Sequence, residues 1–331
     1  MDRDMPDLDT VRAALAVATR APSVHNTQPW LFEVGPHSVH LYADPSRQLP
    51  ATDPQGRDLL LSCGAALHHL RVGFAALGWR STVRRLPNPD APQHLASIEL
   101  ARHEITVADV RLAGAAVSRR TDRRRFSQVG VSFDLLHLLS GRAAGEGVVF
   151  RPVVGRETYR KLTIACAEAT VLQASDSEYL AELSRWTGLH TGSRDGIPAA
   201  VIPRVASLEG ELPVRAFPGG ELVQRNDFRQ DDEEGVLAVL GTASDDRISR
   251  LRAGEALSAV LLAATELGLA TCPLSHPFEV VATREFVQRQ VLHDSLYPHI
   301  ALRIGWPVVG AEPLPMTPRR PVADVLSPLK F

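Results

Sequence analysis

Lysine is almost missing from this chain. Among 36 basic residues in 331, only Lys161 and Lys330 are lysines, so nearly every cation is a guanidinium. Cysteine is scarce too. Cys63, Cys166 and Cys272 are odd in number, far apart and in no CxxC or zinc spacing, so reduced thiols and no metal site are expected. Charge of one sign is not in excess: a formal net charge of −2 gives no sign of a nucleic-acid or membrane-surface partner. No apolar run approaches ~20 residues, so no membrane span is expected. The start, "MDRDMPDLDT", lacks the basic and apolar regions of a signal peptide, and a cytoplasmic location is expected. Some chemistries are missing as well. There is no GxGxxG after a strand and no GxxxxGK followed by Ser or Thr, so neither nucleotide fingerprint is present. The absence of HExxH and GxSxG removes the zinc-protease and serine-hydrolase signatures.

What is present is an ordinary globular composition, 44% apolar and 22% charged, in a chain long enough for two domains or two packed halves. A first helix is expected over 10–19, capped by Thr10 and stopped by Pro22 and Pro29. "WLFEV" and "VHLYA" read as strands around a "GPHS" turn, a long helix fills 56–77, and strands follow at "RSTVRRL" and "ASIEL". A second round has helices near 109–117, 133–139, 157–173 and 178–186, strands at "VVFRPVV" and "VLAVLG", and an apolar helix within 248–277. It closes on a strand, "YPHIALRIGWP". Residues 188–234 are rich in Gly, Pro and charge without periodicity, as a lid or disordered insertion would be. The two long helices align at an offset of 190, matching at Gly64/Gly254, Ala66/Ala256, Leu67/Leu257, Leu77/Leu267 and Gly78/Gly268. This suggests a duplication, with halves at 1–105 and 106–331 and the insertion in the second.

Two stretches carry chemistry. "APSVHNTQPW" crowds polar groups and two prolines between a helix and a strand. "RRTDRRRF" (119–126) gathers five arginines and a threonine, either a solvated turn or an anion site of guanidinium forks. Together with Gly268-Leu269-Ala270-Thr271-Cys272 and the tail pair Arg319-Arg320, these stretches resemble the motifs of nitroreductase-type flavoproteins: RRSxRxF, APSxxNxQPW, a buried helix ending in GLxSC, and paired basic residues in the tail. The APS motif precedes the RRT motif by about a hundred residues, an order similar to that of the Acg branch of this superfamily.

The resemblance implies an α+β nitroreductase fold, with two packed halves mimicking the family's dimer inside one chain, and FMN as cofactor. It places Pro22, Ser23, Val24 and Asn26, held extended by the prolines, against the flavin edge. Arg119, Arg120, Arg319 and Arg320 would meet the phosphate, and Thr121 and Arg123 the ribityl chain and the N1/O2 edge. Pro273, Leu274, Ser275 and His276 would offer backbone groups near N5. His25 and His276 are candidate groups facing flavin or substrate, Gln28 and Trp30 are anchors, and His37, His40, His68 and His69 read as surface or turn residues rather than metal ligands. The counterpart of the APS segment in the second half, 142–150, lacks its polar residues, so one FMN per chain in a monomer is expected, with further oligomerisation open. The implied activity is NAD(P)H-dependent reduction of nitro or quinone acceptors, small aromatic molecules. The alternative is FMN storage or sequestration under a lid closed over the flavin.

Overall fold

The computed structural model describes residues 5–189, 192–205, 212–223 and 235–328. Parts of the expected insertion, at 190–191, 206–211 and 224–234, lie outside these.

The first half follows the expected order. Helix α1 (Leu8–Ala18) buries Val11, Ala14, Leu15 and Ala18 on one face. Its cap is Asp7, not Thr10: the carboxylate accepts the Thr10 N–H at 2.7 Å and so satisfies a donor the helix leaves open. Strands β1 (Trp30–Val34) and β2 (Val39–Ala43) form an antiparallel hairpin. Helix α2 (Arg57–Ala76) leads to β3 (Trp79–Arg85) and β4 (His94–Arg102). By length and composition α2 could cross a membrane, which the absence of an apolar run did not foresee. Yet 83% of its apolar window is buried inside the protein, which makes it a core helix.

The second half has α3 (Val107–Ser118), α4 (Phe133–Gly145), β5 (Val149–Pro152), α5 (Arg156–Ala174) and α6 (Ser177–Trp186). A short parallel pair, β6 (Thr187–Leu189) and β7 (Ile197–Pro198), opens the irregular segment. After it come β8 (Val236–Thr242), α7 (Arg247–Glu266), β9 (Ala270–Leu274), α8 (His276–Glu279), α9 (Val281–Gln290), β10 (Tyr297–Gly305) and β11 (Leu326–Pro328). The apolar run read as one helix within 248–277 is thus a helix, a Gly268 turn in the left-handed region, and a strand. Residues 142–150, the counterpart of the APS segment by sequence, are the end of α4 and the start of β5.

The α+β expectation holds, and the two sheets share one strand order. The first runs β11-β1-β2-β4-β3 and the second β5-β8-β10-β9. Without β11 these are the same antiparallel path, each with its long helix, α2 or α7, inserted before the third strand.

The long helices cross at glycines. A Cβ on Gly64 would lie 2.0 Å from the Leu251 carbonyl oxygen, and a Cβ on Gly254 would lie 1.9 Å from that of Leu61. Leu61 packs into the second half's core and Leu251 into the first's. Both contacts obey the offset of 190, the reciprocity of an interface between like surfaces. At the same crossing Ser258 Oγ lies 2.7 Å from Nδ1 of both His68 and His69. His69 is therefore buried and His68 half-buried in this interface, and neither is a surface residue; among the described residues no group of three or more potential ligands gathers around a metal site.

Candidate functional site

A cavity of about 860 Å³, open mouth included, lies between the halves. Its floor comes from the APS segment (Pro22, Ser23, Val24, His25) and α2 (Asp58, Leu61, Ser62). Its opposite wall comes from Thr121, Arg123 and the strip Pro273, Leu274, Ser275 and His276. The motifs that sequence alone singled out, a hundred or more residues apart, thus meet around one space.

In the APS segment Ser23 is extended (φ −143, ψ 156), and Val24–Asn26 then makes a 3-10 turn. His25, Asn26 and Gln28 all have positive φ (46°, 57° and 53°), a left-handed conformation that costs side-chain-bearing residues energy and collects at functional sites. The turn is locked from several sides. Ser23 Oγ accepts the Gln28 N–H at 2.9 Å, and the Val24 N–H donates to Ser62 Oγ at 3.3 Å. Gln28 spans to the Arg194 carbonyl and accepts the Arg320 N–H, while Trp30 is wholly buried, so both are anchors. Asn26 is an anchor too: its amide donates to the Gly196 carbonyl at 2.9 Å and the Pro318 carbonyl at 3.1 Å.

A second cavity of about 490 Å³ continues past Asn26 and is lined by Arg119, Arg120, Thr121, Arg123 and Arg319. Arg119 is 5% exposed, and among the described residues its Nε and Nη1 have no partner. The Nε atoms of Arg20, Arg120 and Arg319 are orphaned likewise. Burial, then the charges of Arg20, Arg120 and Arg123, pull Arg119 down to about 10. Burial, then Arg119, Arg20 and Arg120, pulls Arg319 well below the usual guanidinium range. Four buried or half-buried cations share this corner with unfilled donors, an arrangement that an anion completes.

Arg320 stands apart from the expectation. Its guanidinium donates to the carbonyls of Gln28 (3.2 Å) and Asp324 (3.0 Å) and lies 3.8 Å from Asp44, so it holds the tail to the first half and does not face the cavity. Arg120 lines the anion corner but spends Nη1 on the carbonyls of Val117, Ser118 and Arg119 at the end of α3. Arg20, in turn, was missed: it precedes the APS motif and gains its meaning only from neighbours about 100 and 300 residues away.

The irregular segment supplies another wall. Ile197, Val214, Arg215 and Phe217 line the main cavity. Arg215 is 8% exposed, ion-paired with Glu279, and donates to His25 Nε2. The His25 ring meets Phe217 edge-on at 5.9 Å. Because Nε2 accepts that bond, Nδ1 carries the proton. Burial, then Arg215 and Arg123, holds His25 well below the usual imidazole range, so it is neutral. His276 is also neutral, lowered to about 3 by burial first and Arg215 second.

No sequence-family model matches the chain. Full-length relatives do. "Putative NAD(P)H nitroreductase Rv3131" of Mycobacterium tuberculosis is 44% identical over 98% of this chain and 93% of that protein. "Putative NAD(P)H nitroreductase acg" of the same organism is 39% identical over 97% of each. Among solved structures, a nitroreductase with bound FMN from Bacteroides fragilis is similar over 62% of this chain and 93% of that one, at 15% identity and a TM-score of 0.39. The chain belongs to the nitroreductase superfamily, in the branch formed by these Acg-like proteins.

Proposed function

We propose that the chain binds one FMN between its halves and is an NAD(P)H-dependent oxidoreductase acting on small nitro- or quinone-type aromatic acceptors. The observation that carries this reading is the anion corner: guanidinium donors without partners among the described residues, beside a larger cavity that shares Thr121 and Arg123 with it and has apolar walls at Leu61, Leu257, Leu274 and Ile300. FMN fits that shape, with its phosphate on Arg119 and Arg319 and its ring system in the main cavity, within the usual size of cofactor pockets. When bound, FMN supplies the relay of a hydride from NAD(P)H to the acceptor. The protein's part is to neutralise the phosphate and to present Thr121, Arg123 and the 273–276 strip to the ring system. The shared strand order and the reciprocal helix crossing support a duplicated chain that carries the family's subunit interface within itself. Flavin absorbance after heat release, divided by protein concentration, should give one FMN per chain, and light scattering a monomer. A ratio near two, or flavin held only by dimers, overturns the reading.

Arg215 and Phe217 support a lid that gates this site. An ion pair taken out of water holds it only while both partners remain, because a lone buried charge costs about 3–5 kcal/mol. Arg215→Ala should leave Glu279 unpaired and loosen the segment, so bleaching of the flavin by NADPH in a stopped-flow experiment should be faster than in the wild type. Unchanged rates, with FMN content preserved, count against a gate at Arg215.

A further inference from the structure

The main cavity carries one acidic group that the flavin reading does not use. Asp58, on the first turn of α2, lines the cavity and is 6% exposed. Among the described residues no hydrogen bond reaches its carboxyl. Its neighbours are otherwise engaged. Asp53 accepts the backbone N–H groups of Arg57 at 2.7 Å and Leu59 at 2.8 Å. Glu279 is ion-paired with Arg215 and accepts from Gln173 Nε2 at 2.7 Å. Arg57 is paired with Asp245. Three buried carboxyls thus share Arg215, already paired with Glu279, and Arg57, already paired with Asp245, while Arg284, which also faces Asp58, donates to the Phe278 carbonyl. The two carboxyls that accept N–H donors hold their charge most cheaply, and the proton falls to the one that does not.

We propose that Asp58 is a hydrogen-bond donor of the acceptor subsite, receiving a nitro or carbonyl oxygen of an aromatic ligand from its un-ionised carboxyl. This rests on the main cavity being the flavin and acceptor site. A second donor with the same preference lines the same cavity: Nδ1–H of neutral His25, buried and without a partner among the described residues. The chemistry is selective in sign. With Asp58, His25 and His276 uncharged, Arg123, Arg215 and Arg303 against Glu279 leave the cavity with two net positive charges, so it takes oxygen acceptors and rejects cations. Burial first, then Asp53 and Glu279, pushes the Asp58 acid well above the carboxylate range, against the pull of Arg215 and Arg57. The donor is therefore present below that raised value and is lost as pH rises through it.

Two measurements test the assignment. Infrared difference spectra of the protein as purified, wild type against Asp58→Asn, should contain the carbonyl stretch of a protonated carboxylic acid that the variant lacks. FMN-loaded protein titrated with 4-nitrobenzoate, read by the change in flavin absorbance, should bind about tenfold more weakly in Asp58→Leu, the loss expected for one hydrogen bond. Asp58→Asn, which keeps an N–H donor of the same shape, should stay close to the wild type and lose the wild type's weakening at high pH. An unchanged infrared spectrum overturns the proposal, and so does wild-type affinity in Asp58→Leu. Failure of the flavin reading looks different: it appears in the ratio of FMN to chain, whereas the infrared band is independent of flavin.

Discussion

Replacing Arg119 and Arg319 together with alanine should release FMN without harming the fold. Arg119 is buried and Arg319 half-buried, and each contact with a phosphate oxygen would be worth about 1.5–3 kcal/mol, roughly one to two orders of magnitude in affinity. Together the losses should reach on the order of two to four decades, and the variant should purify colourless. The two like charges repel in the protein alone, which offsets the contacts of Arg319 with the Arg20, Ala21 and Pro318 carbonyls, so the flavin-free melting temperature should stay close to the wild type's. The pairing of lost flavin with retained stability separates a binding role from a structural one. Arg320→Ala is the contrast. Its guanidinium serves Gln28 and Asp324, so it should loosen the tail while most FMN stays bound. A yellow double variant would put the phosphate elsewhere.

The second large effect is on folding. Gly64→Val or Gly254→Val forces a side chain into a space where even a Cβ lies 1.9–2.0 Å from a backbone carbonyl oxygen of the crossing helix. No rotamer relieves a contact made by Cβ itself, so α2 and α7 must separate along their length. Overpacking that moves backbone costs about 3 kcal/mol or more, and the two sites should behave alike because they face each other across one crossing. Gly114→Ala, on α3 with nothing within 4 Å, is the control. It should gain roughly 0.5–1 kcal/mol from helix propensity alone. Urea denaturation midpoints give all three values. A Gly64→Val midpoint near the wild type's would mean that the helices part freely.

Much of this was legible in the chain because the signals were local. "WLFEV" and "VHLYA" alternate over five residues around a turn and are strands with those bounds. The APS and RRT motifs name residues whose types suit an anion and a planar ring, and those residues do line adjoining cavities. What stayed hidden depends on distant partners. Asp58 reads as an ordinary acid in the first turn of a helix, and only the fold brings Asp53 and Glu279 beside it. Arg215 sits in a stretch without periodicity, 190 residues from His25, which it grips, and 64 from Glu279. Arg319 and Arg320 are adjacent and chemically alike. Which one turns inward is decided by the path of the tail past Gln28, which no pattern of residue types records.

That path has a consequence for how the protein is made. β11 pairs in parallel with β1, with Phe32 opposite Leu326 and the Phe32 N–H bonded to the Val325 carbonyl at 2.7 Å. Val325 is 2% exposed and belongs to the core of the first half. During synthesis β1 leaves the ribosome about 290 residues before the strand that covers it. At roughly 5–20 residues per second, this is a delay of about 15–60 s. Throughout that time the nascent first half shows an open sheet edge, and until α7 follows, 190 residues after α2, α2 lacks the helix it is built to cross. Open edges invite pairing with other chains. The burden of keeping the first half out of aggregates therefore falls on whatever attends the ribosome, until β11 closes the first sheet.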